Sequence, residues 1–266
     1  MSQIKTENIP SKYYHFSFCD GLAALTATNH KTPFPAHFHP TFNITLVYEG
    51  IFKSKIQNQV LLAPSGIIQI TNPEEIHANP FTKDSNVSFF TFYISSSFIA
   101  YCNGGKPVFF EQKVINDAGL FCKLHNISLK LSAGSDFLLL EDELRLAFEI
   151  LTKQYSIGRV VEEGREQLLF TELLDDDYFE KFSLADAARN FGIDKYKFLR
   201  LFKDQTGLTP NNYFIYKRIE KSKTMLAEGR DLLSVAIDLG FYDAAHYANH
   251  FKKFTGVTPM NFKPGK

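Results

Sequence analysis

Two stretches near the C-terminus decide the fold: DKYKFLRLFKDQTGLTPNNY, Asp194–Tyr213, and DAAHYANHFKKFTGVTPMNF, Asp243–Phe262. A shift of 49 residues places Asp194 on Asp243, Phe198 on Tyr247, and Phe202-Lys203 on Phe251-Lys252. The same shift brings Thr206-Gly207 onto Thr255-Gly256, Thr209-Pro210 onto Thr258-Pro259, and Tyr213 onto Phe262. Upstream it carries Leu184 to Leu233 and Ala187 to Ala236. One supersecondary unit is present twice.

Each copy reads the same way physically. A short helix (183–191, then 233–239) carries Ala187 and Ala188, or Ala236, where a second helix must cross closely. A glycine-bearing turn follows, Phe191-Gly192-Ile193 or Gly240-Phe241-Tyr242. Asp194 or Asp243 then stands as an N-cap whose carboxylate accepts from the first free backbone N–H groups. The second helix stops before Thr-Gly-x-Thr-Pro. Helix, tight turn and capped helix make a helix-turn-helix, about 183–203 and 233–253, whose second helix suits a DNA major groove.

Spacings of three and four assign the faces of those second helices. Phe198, Leu201 and Phe202 point to the core in the first copy, Tyr247 and Phe251 in the second. Opposite them stand Lys195, Tyr196, Leu199, Arg200 and Lys203, and then Ala245, Ala248, Asn249 and Lys252, with His246 on the flank. Arg pairs bidentately with guanine, Asn with adenine, and Ala touches the thymine methyl. Between the copies, 211–228 reads as one long helix of ~27 Å at 1.5 Å per residue, able to hold two reading heads about one DNA turn (~34 Å) apart.

Charge agrees. The chain has 29 Lys+Arg and 29 Asp+Glu, yet Lys181–Lys266 holds 15 against 8, so this third carries +7 and the rest −7. A basic segment favours polyanions through steering and counterion release. The 266 residues fit two modest domains, here 1–158 and 165–266, with a linker near 156–165. Cys19, Cys102 and Cys122 show neither CxxC nor metal spacing and read as reduced thiols. The polar start, Met1–Pro10, lacks a signal-peptide core, and four serines interrupt the apolar run Val87–Tyr101, so the expectation is a cytoplasmic protein with no membrane partner.

The first half reads as β. Tyr14–Phe18, Leu22–Thr28, Phe42–Phe52, Lys55–Ala63, Ile67–Thr71 and Val87–Ile94 are short runs rich in Phe, Val, Ile and Thr, punctuated by turns such as Asp20-Gly21 and Glu49-Gly50. Such spacing predicts a sandwich or small barrel. Asp136–Tyr155 then carries Phe137, Leu140, Leu144, Ala147, Phe148 and Leu151 along one helical stripe. Near-heptad spacing makes that helix, or its neighbour Leu120–Leu131, a candidate dimer interface, and packing of the stripe on the barrel is the alternative. Gly104-Gly105 reads as a turn, and Asp175-Asp176-Asp177 as a solvated run.

The C-terminal third resembles the AraC/XylS family of bacterial transcription regulators. The resemblance rests on Leu184-Ala185-x-Ala187-Ala188 and on Phe198-Leu199-Arg200-Leu201-Phe202-Lys203-x3-Gly207-x2-Pro210-x2-Tyr213. It continues in Arg218 and in Ile237-x2-Gly240-Phe241-x5-Tyr247-x3-Phe251-Lys252-x3-Gly256-x-Thr258-Pro259-x2-Phe262. Departures are Phe262-Lys263 where the family often has Tyr-Arg, and Asn249 where it often has Arg. The second leaves more of the base readout to Tyr196 and Arg200. The resemblance implies sequence-specific binding to double-stranded DNA, with a cupin-like β-barrel in front that binds a small effector. A homodimer is expected because two linked DNA-binding modules reach two half-sites with raised effective concentration, and contact with RNA polymerase stays open.

The first half matches that cupin pattern more loosely, through His37-Phe38-His39-Pro40-x-Phe42, Pro64-Ser65-Gly66 and Asn72-Pro73-Glu74-Glu75-Ile76-His77. Three His from two strands are candidate metal ligands. The carboxylate that metal-binding cupins place after the His pair is missing, with Asn43-Ile44 in its place, so neither a metal nor a cofactor is expected. The three His read either as structural barrel residues or as polar groups of a pocket. In the second case His37, His39, Phe42, Tyr48 and His77 are expected to line an effector pocket, its character largely apolar from Phe38, Phe90 and Phe92 as well. Neither a nucleophile–base pair nor a phosphate-binding Gly loop is seen, and no enzyme is expected. Alternatives that stay open are a cupin-type metal enzyme and a DNA-binding protein that needs no ligand.

Overall fold

The computed structural model describes residues 11–56, 59–81, 85–134, 137–158 and 182–262. Its N-terminal part is built from antiparallel strands: β1 (Ser11–His15), β2 (Ala23–His30), β3 (Phe34–His37), β4 (Phe42–Glu49), β5 (Ile51–Ile56) and β6 (Gln59–Pro64). Next come β7 (Ile68–Thr71), β8 (His77–Asn79), β9 (Val87–Ile94), β10 (Val108–Phe109), β11 (Val114–Ile115) and β12 (Ile157–Gly158). One sheet has the order β1-β2-β9-β4-β7-β11 and the other β3-β8-β5-β6, with β10 and β12 a separate pair. The two larger sheets enclose a small interior lined from both.

Alternation along the central strands sets two environments. Phe42, Ile44 and Leu46 of β4, with Phe90, Phe92 and Ile94 of β9, face outward into a core closed by three helices. Those are α1 (Ser96–Cys102), α2 (Ala118–Ala133) and α3 (Phe137–Tyr155). Leu140, Leu144, Ala147, Phe148 and Leu151 of α3 are all buried in that core. The stripe expected as a dimer interface is therefore spent on the subunit's own sheet, because six strands leave a wide apolar face for α2 and α3 to cover.

The predicted strand Phe42–Phe52 is broken after Glu49. Gly50 turns the chain at φ +75°, and a Cβ there would lie 2.0 Å from the Asn86 carbonyl oxygen, so no other residue fits. The predicted Lys55–Ala63 run likewise contains the β5–β6 hairpin, in which Ile56 pairs with Gln59. Short β3 and β8 were not legible as strands, yet they carry His37 and His77. Ile157–Gly158 pairs with β10 rather than opening a linker. The rest of the expected linker, and the Asp175–Asp177 run, lie outside the described residues.

The C-terminal part is helical: α4 (Leu184–Asn190), α5 (Lys195–Thr206), α6 (Pro210–Ala227), α7 (Leu232–Asp238) and α8 (Ala244–Thr255). The repeat extends to hydrogen bonds. Asp194 caps α5 and Asp243 caps α8, while Gly207 and Gly256 end them in the left-handed region at φ +67° and +79°. The Thr206 hydroxyl bonds the carbonyls of Phe202 and Leu208, and Thr255 does the same with Phe251 and Val257. Thr209 caps α6, and Pro210 sits in its first turn where the missing N–H costs nothing.

Barrel and helices share a core. Leu25, Phe34, Val47 and Phe52 pack in one cluster with Tyr216, Phe251, Phe254 and Phe262. The Tyr216 hydroxyl donates to the Phe38 carbonyl, and the Tyr13 ring lies 4.8 Å from that of Phe262.

Candidate DNA-binding face and ligand cavities

On α5, Phe198 and Phe202 are buried, whereas Lys195, Tyr196, Arg200 and Lys203 are exposed and Leu199 is half-buried. Tyr196 is 72% exposed, unusual for so large an aromatic, and the Lys195 ammonium sits 5.1 Å from its ring centre. On α8, Tyr247 and Phe251 are buried, while Ala245, His246, Asn249 and Lys252 are exposed. His246 is not a free flank residue: its Nε2 lies 3.1 Å from Nε2 of His250, one turn on. The sequence reading passed over His250, although its i+4 spacing from His246 was the available signal.

The five expected effector residues divide. His37, His39 and His77 come together, with ring centres 4.4 to 5.4 Å apart and ligand-capable nitrogens within 4.8 Å of one another. Phe42 and Tyr48 do not join them. They lie on the opposite face of β4, where Phe42 meets Phe110 edge-on and the Tyr48 hydroxyl bonds Ser128 Oγ at 2.7 Å. Burial pushes the Tyr48 phenol up to about 12. Even-numbered residues of β4 face the helices, so a pocket drawn through both His39 and Tyr48 crosses the sheet.

The barrel interior is polar rather than apolar. Asn43, Thr45, Gln69, Thr71 and Thr91 line it together with the three imidazoles. Thr45 and Thr91, cross-strand partners, share a 2.8 Å hydrogen bond, and Gln69 Nε2 donates to Ser54 Oγ at 2.5 Å. The open volume is only about 30 Å³, room for an ion or a water but not for an organic molecule. Burial, then mutual repulsion, holds His37 and His39 well below the ordinary imidazole range, and burial lowers His77.

That shift has a testable sign. Below pH about 6.5 the unfolded chain binds protons on these His while the folded chain does not, so stability falls with pH by up to about 1.4 kcal/mol per unit for each. Chelator-treated protein is expected to lose melting temperature steadily from pH ~6.5 downward, and His37→Gln is expected to flatten the slope. A melting temperature flat through that window would contradict the burial of neutral imidazoles.

A larger cavity, about 370 Å³, lies at the seam between the barrel and the helices. Tyr13, His39 and Tyr93 form its barrel wall, and Glu220, Lys223 and Phe262 its helical wall. Lys223 pairs with Glu220 at 2.7 Å, both largely shielded. The sequence reading missed this cavity because its two walls come from segments some 200 residues apart. His39 lines both cavities.

An antiparallel β unit followed by two capped helix-turn-helix units defines a two-domain DNA-binding regulator. An AraC-like ligand binding domain matches residues 21–169, and a helix-turn-helix domain matches 187–264. The chain belongs to the AraC family of transcription regulators, with a ligand-binding domain ahead of its DNA-binding domain. It is similar to the HTH-type transcriptional regulator YbfI of Bacillus subtilis, 26% identical over 80% of this chain and 81% of that one. It is also similar to the transcriptional activator RhaS of Escherichia fergusonii, 22% identical over 88% of each. Apo ToxT from Vibrio cholerae, a single-residue variant, shares the fold with a TM-score of 0.55 at 14% identity, over 95% of both chains. Among the described residues no helix is long and apolar enough to cross a membrane.

Proposed function

We propose that the chain regulates transcription under the control of a small molecule bound in the seam cavity, so that ligand binding changes how the helix-turn-helix units are presented to DNA. The seam cavity carries this reading. A ligand there touches both parts at once, so its affinity differs between docked and loosened arrangements, which is what shifts an equilibrium. Aromatic walls from Tyr13, Tyr93 and Phe262, with the Lys223–Glu220 pair on the helical side, suit a molecule with a flat apolar body and one polar end. In this reading Lys195, Tyr196, Leu199, Arg200 and Lys203 face one major-groove segment, and Ala245, His246, Asn249 and Lys252 face the next. The reading assigns no catalytic step. It places the protein in the cytoplasm, as two copies on one operator with RNA polymerase beside them. Leu129 and Leu146, 54% and 51% exposed on α2 and α3, are apolar points that these two helices offer for pairing.

Ala227 lines the cavity yet is exposed, so Ala227→Phe fills it at little cost to folding. A metabolite that raises the melting temperature of the wild type should leave Ala227→Phe unmoved. A shift retained in full by that variant would place the ligand elsewhere. DNA affinity should fall steeply with salt, and Lys252→Ala should weaken operator and random DNA alike while reducing the log–log salt slope by about one. A slope unchanged by the substitution would remove Lys252 from the phosphate contacts.

A further inference from the structure

We propose that His37, His39 and His77 hold one divalent transition-metal ion inside the barrel. The His37 Nδ1 lies 2.6 Å from the Pro35 carbonyl oxygen, and the His77 Nδ1 lies 2.9 Å from that of Glu75. A carbonyl only accepts, so each ring donates from Nδ1 and, being neutral, keeps its lone pair on Nε2. The same device, a backbone carbonyl two residues upstream, fixes ring and tautomer on two different strands. It is the support that metal-ligating imidazoles receive from their outer shell. Burial keeps all three rings deprotonated at neutral pH, the form that ligates.

The rest of the interior fits an ion and its water. Its volume of about 30 Å³ excludes an organic ligand. Gln69, which lines the same interior and donates to Ser54, leaves a buried Oε1 with no hydrogen-bond partner among the described residues, an acceptor free for a water in that cavity. Three imidazoles and a water complete a four-coordinate site without any carboxylate. The Asn43 that argued against a metal in the sequence therefore does not decide the matter. Neutral nitrogen donors favour Zn²⁺, Co²⁺ or Ni²⁺ over Mg²⁺ or Ca²⁺. With metal–nitrogen bonds of about 2.0–2.1 Å, nitrogens that lie within 4.8 Å of one another here would close to roughly 3.4 Å on loading. His39 borders both cavities, but the ion and the seam ligand occupy separate volumes, and metal uptake is read with no seam ligand present.

The test uses full-length protein carrying His250→Gln, which removes the exposed His246–His250 pair as a competing chelator. Stripped protein titrated with Co²⁺ should take up one equivalent, develop the visible bands of a four-coordinate ion, and lose them to Zn²⁺. His37→Gln and His77→Gln should each weaken uptake by more than about 100-fold, since losing outer-shell partners alone costs 10–100-fold. Without relying on variants, the Co²⁺ form should show three paramagnetically shifted imidazole N–H protons. Absence of uptake, fewer than three such protons, or unchanged uptake in folded His37→Gln and His77→Gln proteins would overturn the site.

Discussion

Arg200→Ala is expected to weaken binding to the true operator by about 1–3 kcal/mol, roughly 5- to 150-fold, while random DNA loses little. Arg200 is exposed on the face of α5 opposite buried Phe198 and Phe202, on a helix whose start is fixed by the Asp194 cap. A guanidinium held there can pair with two acceptors of one guanine, and truncation removes both bonds from the cognate sequence only. Competition binding at fixed salt, with operator and scrambled duplexes, reads the difference. Equal losses on both duplexes would make Arg200 a phosphate contact. Asn249→Ala, on the equivalent face of α8, is expected to act at a different base position, so the two losses should add.

Phe254→Ala is expected to cost about 3–5 kcal/mol, the range for truncating a buried Phe, and to split unfolding into two steps. Phe254 belongs to α8 but lines the barrel interior, with its ring 6.4 Å from that of His37 and 5.7 Å from that of Tyr216. Its removal opens the seam rather than either domain's own centre. Calorimetry of the wild type should show barrel and helices melting together, and the variant should show them apart. A single transition lowered by less than about 1 kcal/mol, below the range for a buried Phe, would mean the seam contributes little.

The helical half was legible because its signals are local. A repeat, two caps and two left-handed glycines lie within segments of about twenty residues, and each structural consequence falls within a turn or two of its cause. The central strands were less so. Polar residues alternating in β4, β7 and β9 (Asn43 and Thr45, Gln69 and Thr71, Thr91 and Tyr93) resemble a solvent face, yet they point into the barrel because α2 and α3 cover the apolar side. That inversion explains why His39 and Tyr48 were placed in one pocket. The seam cavity was beyond reach of any windowed reading, since Tyr13 and Lys223 meet only after both domains have folded.

Gly207 and Gly256 occupy the same position in the two repeats, and both rest on the barrel. A Cβ on Gly207 would come within 2.8 Å of Ile76, and one on Gly256 within 3.1 Å of Phe34. The barrel thus grips each reading head at the matching point, like a jig clamping two blades. What the clamp fixes is the angular phase between α5 and α8 about the axis of the duplex, which α6 alone would leave to its own bending. One base pair turns the next contact by about a tenth of a revolution, so the preferred spacing between the two DNA segments is a property of the barrel as much as of the helices. Relieving the clamp at one glycine position should therefore show itself as an altered tolerance for inserted base pairs, before any loss of affinity on the original spacing.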